Sequence, residues 1–87
     1  MEINNLIKKI NNKICNKIKC EKILIEDKTL LHRKHKNFDN KKFHLKIRIE
    51  SLELKSKKKV EANRQIFNIL NQELKDYIHS IQLLINQ

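Results

Sequence analysis

The stretch Phe43-His44-Leu45-Lys46-Ile47-Arg48-Ile49-Glu50 alternates apolar and polar side chains without a break. Successive side chains of a strand point to opposite faces, so this run reads as a strand with one face on a core and the other polar. Ahead of it, Lys22-Ile23-Leu24-Ile25-Glu26 concentrates apolar and β-branched residues and reads as a largely buried strand ending at Asp27. Nearer the amino terminus, Ile3, Leu6, Ile7, Ile10, Ile14 and Ile18 recur at spacings of three and four with Asn and Lys between them. That period predicts an amphipathic helix from about residue 2 to residue 18.

Beyond Ser51, Leu52 and Leu54 lead into Lys55-Ser56-Lys57-Lys58-Lys59, a basic run that reads as a solvated turn. Helical spacing resumes with Val60, Ile66, Phe67, Leu70, Leu74, Tyr77 and Ile78, which predicts a second long helix over about residues 59 to 77, closed by His79. Ile81-Gln82-Leu83-Leu84-Ile85 then reads as a last strand whose residues 81, 83 and 85 face the core. The order is α-β-β-α-β. An antiparallel strand pair, a crossover helix and a third strand make one three-stranded sheet with both long helices on one face, an α+β two-layer sandwich. Between the first two strands, Thr29 to Lys42 is a polar loop, and loops of that length inside a small domain tend to be functional.

A chain of 87 residues is long enough for one core and too short for two, so residues 1–87 are expected to form a single domain. No apolar run approaches the roughly 20 residues of a membrane span. Met1-Glu2-Ile3-Asn4 opens neither an export signal nor an organelle presequence, so the expected address is the cytoplasm. The net charge of +10 invites a nucleic-acid partner, since clustered cations neutralise phosphates. Lysine outnumbers arginine 17 to 3, however, and Lys, Ile and Asn fill about half the chain, a composition that AT-rich coding produces by itself. Arginine is the usual base reader, so its scarcity weighs against sequence-specific DNA contact. The same charge opposes homodimerisation without forbidding it.

Glycine and proline are both missing from the chain. Phosphate-cradling loops, dinucleotide fingerprints and the nucleophile elbow all depend on glycine, and this excludes the enzymes built on them. Glu26 with Asp27, and Glu73 with Asp76, read as surface charges, not as catalytic pairs. On one helix Cys15 and Cys20 would lie about 7.5 Å apart along the axis and on different faces, a poor geometry for a disulfide, an objection that weakens if the helix ends between them. They read as ordinary thiols in a reducing compartment.

Histidine is the informative residue, with four copies. His44 has the polar parity of its strand and reads as half-exposed. His79, at the end of the second helix, reads as a cation favoured by the helix dipole. His32 and His35 lie in the polar loop, where each is either solvated or a ligand, since neutral imidazole is the commonest metal ligand.

Taken in order, Ile25 to Thr29, His32-x-x-His35, His44-Leu45-Lys46-Ile47-Arg48-Ile49-Glu50-Ser51, Asn63-Arg64-Gln65-Ile66-Phe67 and Leu74 through Ile78-His79-Ser80-Ile81 resemble the BolA family over about residues 1 to 85. The resemblance implies a fold like the class II KH domain and an adaptor, not an enzyme. It implies a heterodimer with a monothiol glutaredoxin that shares a [2Fe-2S] cluster, with glutathione supplied by the glutaredoxin side. His79 matches the family's ligand after the long helix, and the second ligand matches His35 when counted back from His44 without a gap, or His32 if the loop carries an insertion. An alternative role in the family is DNA-binding transcription regulation, for which Lys57, Lys58, Lys59 and Arg64 would meet phosphates. The chain departs from the family's pattern at Lys34 and Ser56, where glycine is usual, and at Ala62-Asn63-Arg64, where Arg-His-Arg is usual. The Gly-x-x-Gly clamp of RNA-binding KH domains is missing, so RNA binding does not come with the fold.

Overall fold

The alternation of Phe43–Glu50 produces the central strand, β2, flanked on both sides in a sheet of order β1-β2-β3. The computed structural model describes residues 2–29 and 42–87. Strand β1, Lys22–Asp27, pairs antiparallel with β2, and strand β3, Ile78–Ile85, pairs parallel with it. Leu45, Ile47 and Ile49 of β2 are buried, as the period of two requires.

Helix α1, Ile3–Lys17, covers that face with Leu6, Ile10 and Ile14, one residue per turn of a single stripe. Ile18, just past the helix in an extended conformation, continues the stripe into the same core. After β2 a four-residue helix, α2 (Leu52–Lys55), turns the chain. Ser51 holds this turn in place. Its Oγ accepts from the Leu54 amide at 3.2 Å and donates to the Lys19 carbonyl at 2.7 Å, while the Asn86 side chain brackets its backbone at 2.8 and 3.0 Å. Asn86 has a φ of 54°, the left-handed conformation that asparagine tolerates better than most residues.

The second long helix is broken. The chain forms α3, Lys59–Ile69, and α4, Asn71–Asp76, with Leu70 between them at φ −96° and ψ 14°. Hydrogen bonds from Leu70 N to Ile66 O and from Leu74 N to Leu70 O carry the helical ladder through the bend. The two segments bury Ala62, Ile66, Leu70 and Glu73.

Glu73 is therefore no surface charge. It is fully buried and accepts two hydrogen bonds from Lys13 Nζ, at 2.8 and 3.0 Å, with Lys9 Nζ at 3.4 Å. Burial pushes its carboxyl pKa upward, but the Lys13 hydrogen bonds and charge, a backbone hydrogen bond and Lys9 outweigh that and hold it below the ordinary range. The pair ties α4 to α1 across the helical layer.

Two further expectations change. Strand β1 is an edge strand whose Ile23 and Ile25 pack on the core, while Leu24 is 45% exposed on the open face opposite Arg48, so it is half-buried, not largely buried. Strand β3 begins at Ile78, three residues earlier than the Ile81 start expected, so His79 lies in a strand and not at a helix end. No helix among the described residues is long and apolar enough to cross a membrane.

Candidate functional site

A register shift at the start of β3 builds the site. Phe43 pairs with Ile78 and the next residue, His44, pairs with Ser80, so His79 is one extra residue in β3. Such a bulge re-aims side chains that simple alternation would send to opposite faces. Burial along the strand records this: Ile78 is buried, His79 and Ser80 are both exposed, and Ile81 packs on the core again. Two consecutive polar residues thus stand beside His44.

His44 is 6% exposed, against its expected half-exposure. Its Nδ1 lies 2.7 Å from Ser80 Oγ, and its Nε2 lies 3.1 Å from His79 Nδ1. The imidazoles meet edge to face, with centroids 4.7 Å apart and planes at 83°. The backbone around His44 is held as well. Its amide donates to Thr29 Oγ1 at 3.2 Å, its carbonyl accepts from the Lys28 amide at 2.7 Å, and Thr29 in turn bonds Asp27 Oδ1 through both its amide and its hydroxyl.

His79 keeps its second ring nitrogen available. Among the described residues Nδ1 is engaged by His44 and Nε2 has no partner, on a side chain that is exposed. His32 and His35, the two candidates for a companion ligand, lie outside the described residues. Thr29 and Lys42, which bracket them in sequence, are both at the His79 end of the sheet: Thr29 bonds His44, and Lys42 precedes the Phe43 that pairs with Ile78. No group of three or more His, Cys, Asp or Glu side chains that could hold a metal ion occurs among the described residues.

The thiols take no part here. Cys15 is exposed on α1 and Cys20 lies beyond the end of that helix, both as free cysteines. Burial, with smaller contributions from Cys15, Glu21 and Glu53, pushes the Cys20 thiol up to about 11. It stays protonated at neutral pH, the wrong state for a nucleophile.

The basic residues sit elsewhere. Lys57 and Lys58 lie in the turn before α3, Lys59 opens α3, and all three are exposed, as is Arg64. Lys57 and Lys59 line a hollow with Ile85, Asn86 and Gln87, at the far end of β3 from His79. Seven strand steps of ~3.3 Å put the two ends about 23 Å apart. Arg64 lines a different cleft, of about 630 Å³ between α1 and α3, together with Lys13 and Lys17. The four cations do not converge on one pocket.

Sequence reasoning named His79 as a candidate and did not single out His44 or Ser80 beside it. Parity alone makes His44 a surface residue, and nothing in the spacing of Ser80 shows that an inserted neighbour sets it opposite His44. A search of curated proteins finds no match. The solved structure of the BolA domain of SufE1 from Arabidopsis thaliana is similar at a TM-score of 0.77 and 24% identity, covering 98% of this chain and 92% of that one. BolA1 from Arabidopsis thaliana is similar at a TM-score of 0.75 and 18% identity, covering 90% of this chain and 86% of that one. At these identities the likeness shows the fold. The family model for BolA-like protein matches residues 14–86, from the last turn of α1 through the whole sheet and both histidines of the site, and the chain belongs to the BolA-like family.

Proposed function

We propose that this BolA-like chain is a non-catalytic adaptor that binds a monothiol glutaredoxin and shares a [2Fe-2S] cluster with it, in cluster trafficking or iron regulation. His79 supplies one ligand and His35 the other, with His32 as the alternative. The glutaredoxin side brings a cysteine and glutathione. One observation carries the reading: His79 is an exposed imidazole whose Nδ1 is held from within the fold and whose Nε2 faces no partner among the described residues. Metal-bound histidines characteristically have their other ring nitrogen anchored in this way.

The donor set fits a shared cluster better than a resident metal. An iron–sulfur cluster accepts imidazole in place of thiolate, with a raised potential. With His79 and His35 or His32 as two ligands, the remaining two positions of a four-ligand [2Fe-2S] cluster fall to the glutaredoxin side.

The test is to reconstitute iron and sulfide with a monothiol glutaredoxin and glutathione, add this protein or its His79→Ala variant, and record visible absorption and circular dichroism. The expected result is a changed cluster spectrum with wild type and none with the variant. An unchanged spectrum, with both proteins folded, refutes the reading. That outcome turns attention to the other end of β3, where the exposed Lys57, Lys58 and Lys59 suit phosphates, with Arg64 on α3 as a further contact. DNA binding there would fall steeply with salt, and each lysine neutralised would reduce the slope of log K against log salt by about 1.

A further inference from the structure

Ser80, His44 and His79 form a continuous hydrogen-bonded row, Oγ to Nδ1 at 2.7 Å and Nε2 to Nδ1 at 3.1 Å. We infer that this row is a tautomer relay in which His44 and Ser80 are positioning residues that present His79 Nε2 as a lone pair. The inference rests on the proposed role of His79 as a ligand and goes beyond it, to what makes that histidine competent.

A neutral imidazole carries one N–H, so the row has two polarities. In the first, Ser80 donates its hydroxyl hydrogen to His44 Nδ1, His44 donates from Nε2 to His79 Nδ1, and the proton of His79 sits on Nε2. That histidine cannot ligate through Nε2. In the second, His79 donates from Nδ1 to His44 Nε2, His44 donates from Nδ1 to Ser80 Oγ, and His79 Nε2 is bare. A hydroxyl both donates and accepts, so Ser80 terminates either polarity with the same atoms in place and no hydrogen bond of the row is lost in passing between them. A methyl group at that position cannot accept, and losing the Ser80 acceptor costs the polarity in which His44 donates from Nδ1 more than the one in which it only accepts there. Ser80→Ala therefore disfavours the ligand-ready polarity.

The geometry is fixed by structure on both sides. The bulge at His79 brings two successive residues of β3 alongside His44, and the strand pairing of β2 with β1 and the Thr29 contact hold the His44 backbone. The two rings stand at 83° to each other with His79 Nδ1 and His44 Nε2 3.1 Å apart. In a metal site such an anchoring partner orients the ring and raises the basicity of the ligating nitrogen.

The test begins on the isolated protein with no metal. Imidazole 15N shifts of wild type, Ser80→Ala and Ser80→Thr report which nitrogen of His79 is protonated in the neutral ring. The expected result is a fall in the Nδ1–H population of His79 in Ser80→Ala and its recovery in Ser80→Thr, which restores the hydroxyl. Equal populations in all three proteins overturn the relay. The second arm measures the half-life of the reconstituted glutaredoxin-bound cluster against a chelator. Ser80→Ala should shorten it by roughly 10–100-fold, with rescue by Ser80→Thr, as second-ligand-sphere losses commonly do. A cluster lost in His79→Ala but unaltered in Ser80→Ala overturns the positioning role alone, whereas a cluster unaffected by His79→Ala overturns the ligand reading, and the 15N result still decides the relay.

Discussion

Lys13 and Glu73 should respond unequally to removal, and the inequality follows from where each side chain ends. Glu73 is fully buried, whereas the side chains of Lys13 and Lys9 are 37% and 44% exposed. Lys13→Met strands a carboxylate inside the helical layer with Lys9, at 3.4 Å, and a backbone hydrogen bond left to compensate it. Breaking a buried pair in this way costs ~3–5 kcal/mol, and the remaining Lys9 places the expected loss near the bottom of that range, about 3 kcal/mol. Glu73→Met instead puts an apolar side chain of similar length into the layer and releases both lysines to water, which costs little because they already reach it. Such replacements of buried charge are often neutral, so the expected change is within about 1 kcal/mol. Urea unfolding of wild type and both variants measures the difference, and at this chain length about 3 kcal/mol corresponds to a melting shift of roughly 12–24 °C. The pH dependence gives a second check. The folded Glu73 carboxyl lies below its unfolded value, so the pair's contribution is fully present above the unfolded value and is lost as pH falls through the folded one. Lys13→Met moves the folded value of Glu73 upward, so the stability lost on acidification should shrink, and in Glu73→Met this component should vanish. Equal destabilisation by the two substitutions would refute the reasoning.

Ser51→Ala removes the cap of α2 and the bond to Lys19 O, both made by one buried hydroxyl. A stability loss of ~1–2 kcal/mol is expected from the cap and its second bond, read as a lowered urea midpoint with an unchanged slope. The thiols should separate by reactivity. At pH 8 a Cys20 thiol near 11 is ionised in only about one molecule in a thousand, so iodoacetamide followed by peptide mass mapping should label exposed Cys15 well before Cys20.

The parts of the fold that sequence discloses are those fixed by short-range period. Leu45, Ile47 and Ile49 declare the buried face of β2, and Leu6, Ile10 and Ile14 declare that of α1, because each set repeats at the spacing of its own element. The bend at Leu70 leaves no such trace. It has neither glycine nor proline, and Leu70 keeps the apolar period of the helix on both sides of it. Glu73 is equally silent in the local pattern, since its partner Lys13 lies 60 residues away. At the site, period misleads outright. Reading alternation backward from Ile85, Leu83 and Ile81 makes 79 an inward position, and only the inserted residue puts His79 on the exposed side next to Ser80.

That insertion also explains why the histidine pair belongs to the fold and not to either strand alone. His44 and His79 are 35 residues apart, and a parallel pairing of β2 with β3 is what brings the beginnings of both strands to one end of the sheet. Parallel neighbours need a long crossover, supplied here by α2, α3 and α4. The crossover carries the buried Glu73 that fastens it to α1, while the open face carries the Ser80–His44–His79 row. The buried ion pair and the histidine row therefore sit on opposite layers. Loosening the helical clamp should lower stability with the row's geometry retained in the folded population, and replacing Ser80 should alter the tautomer of His79 with little change in the urea midpoint.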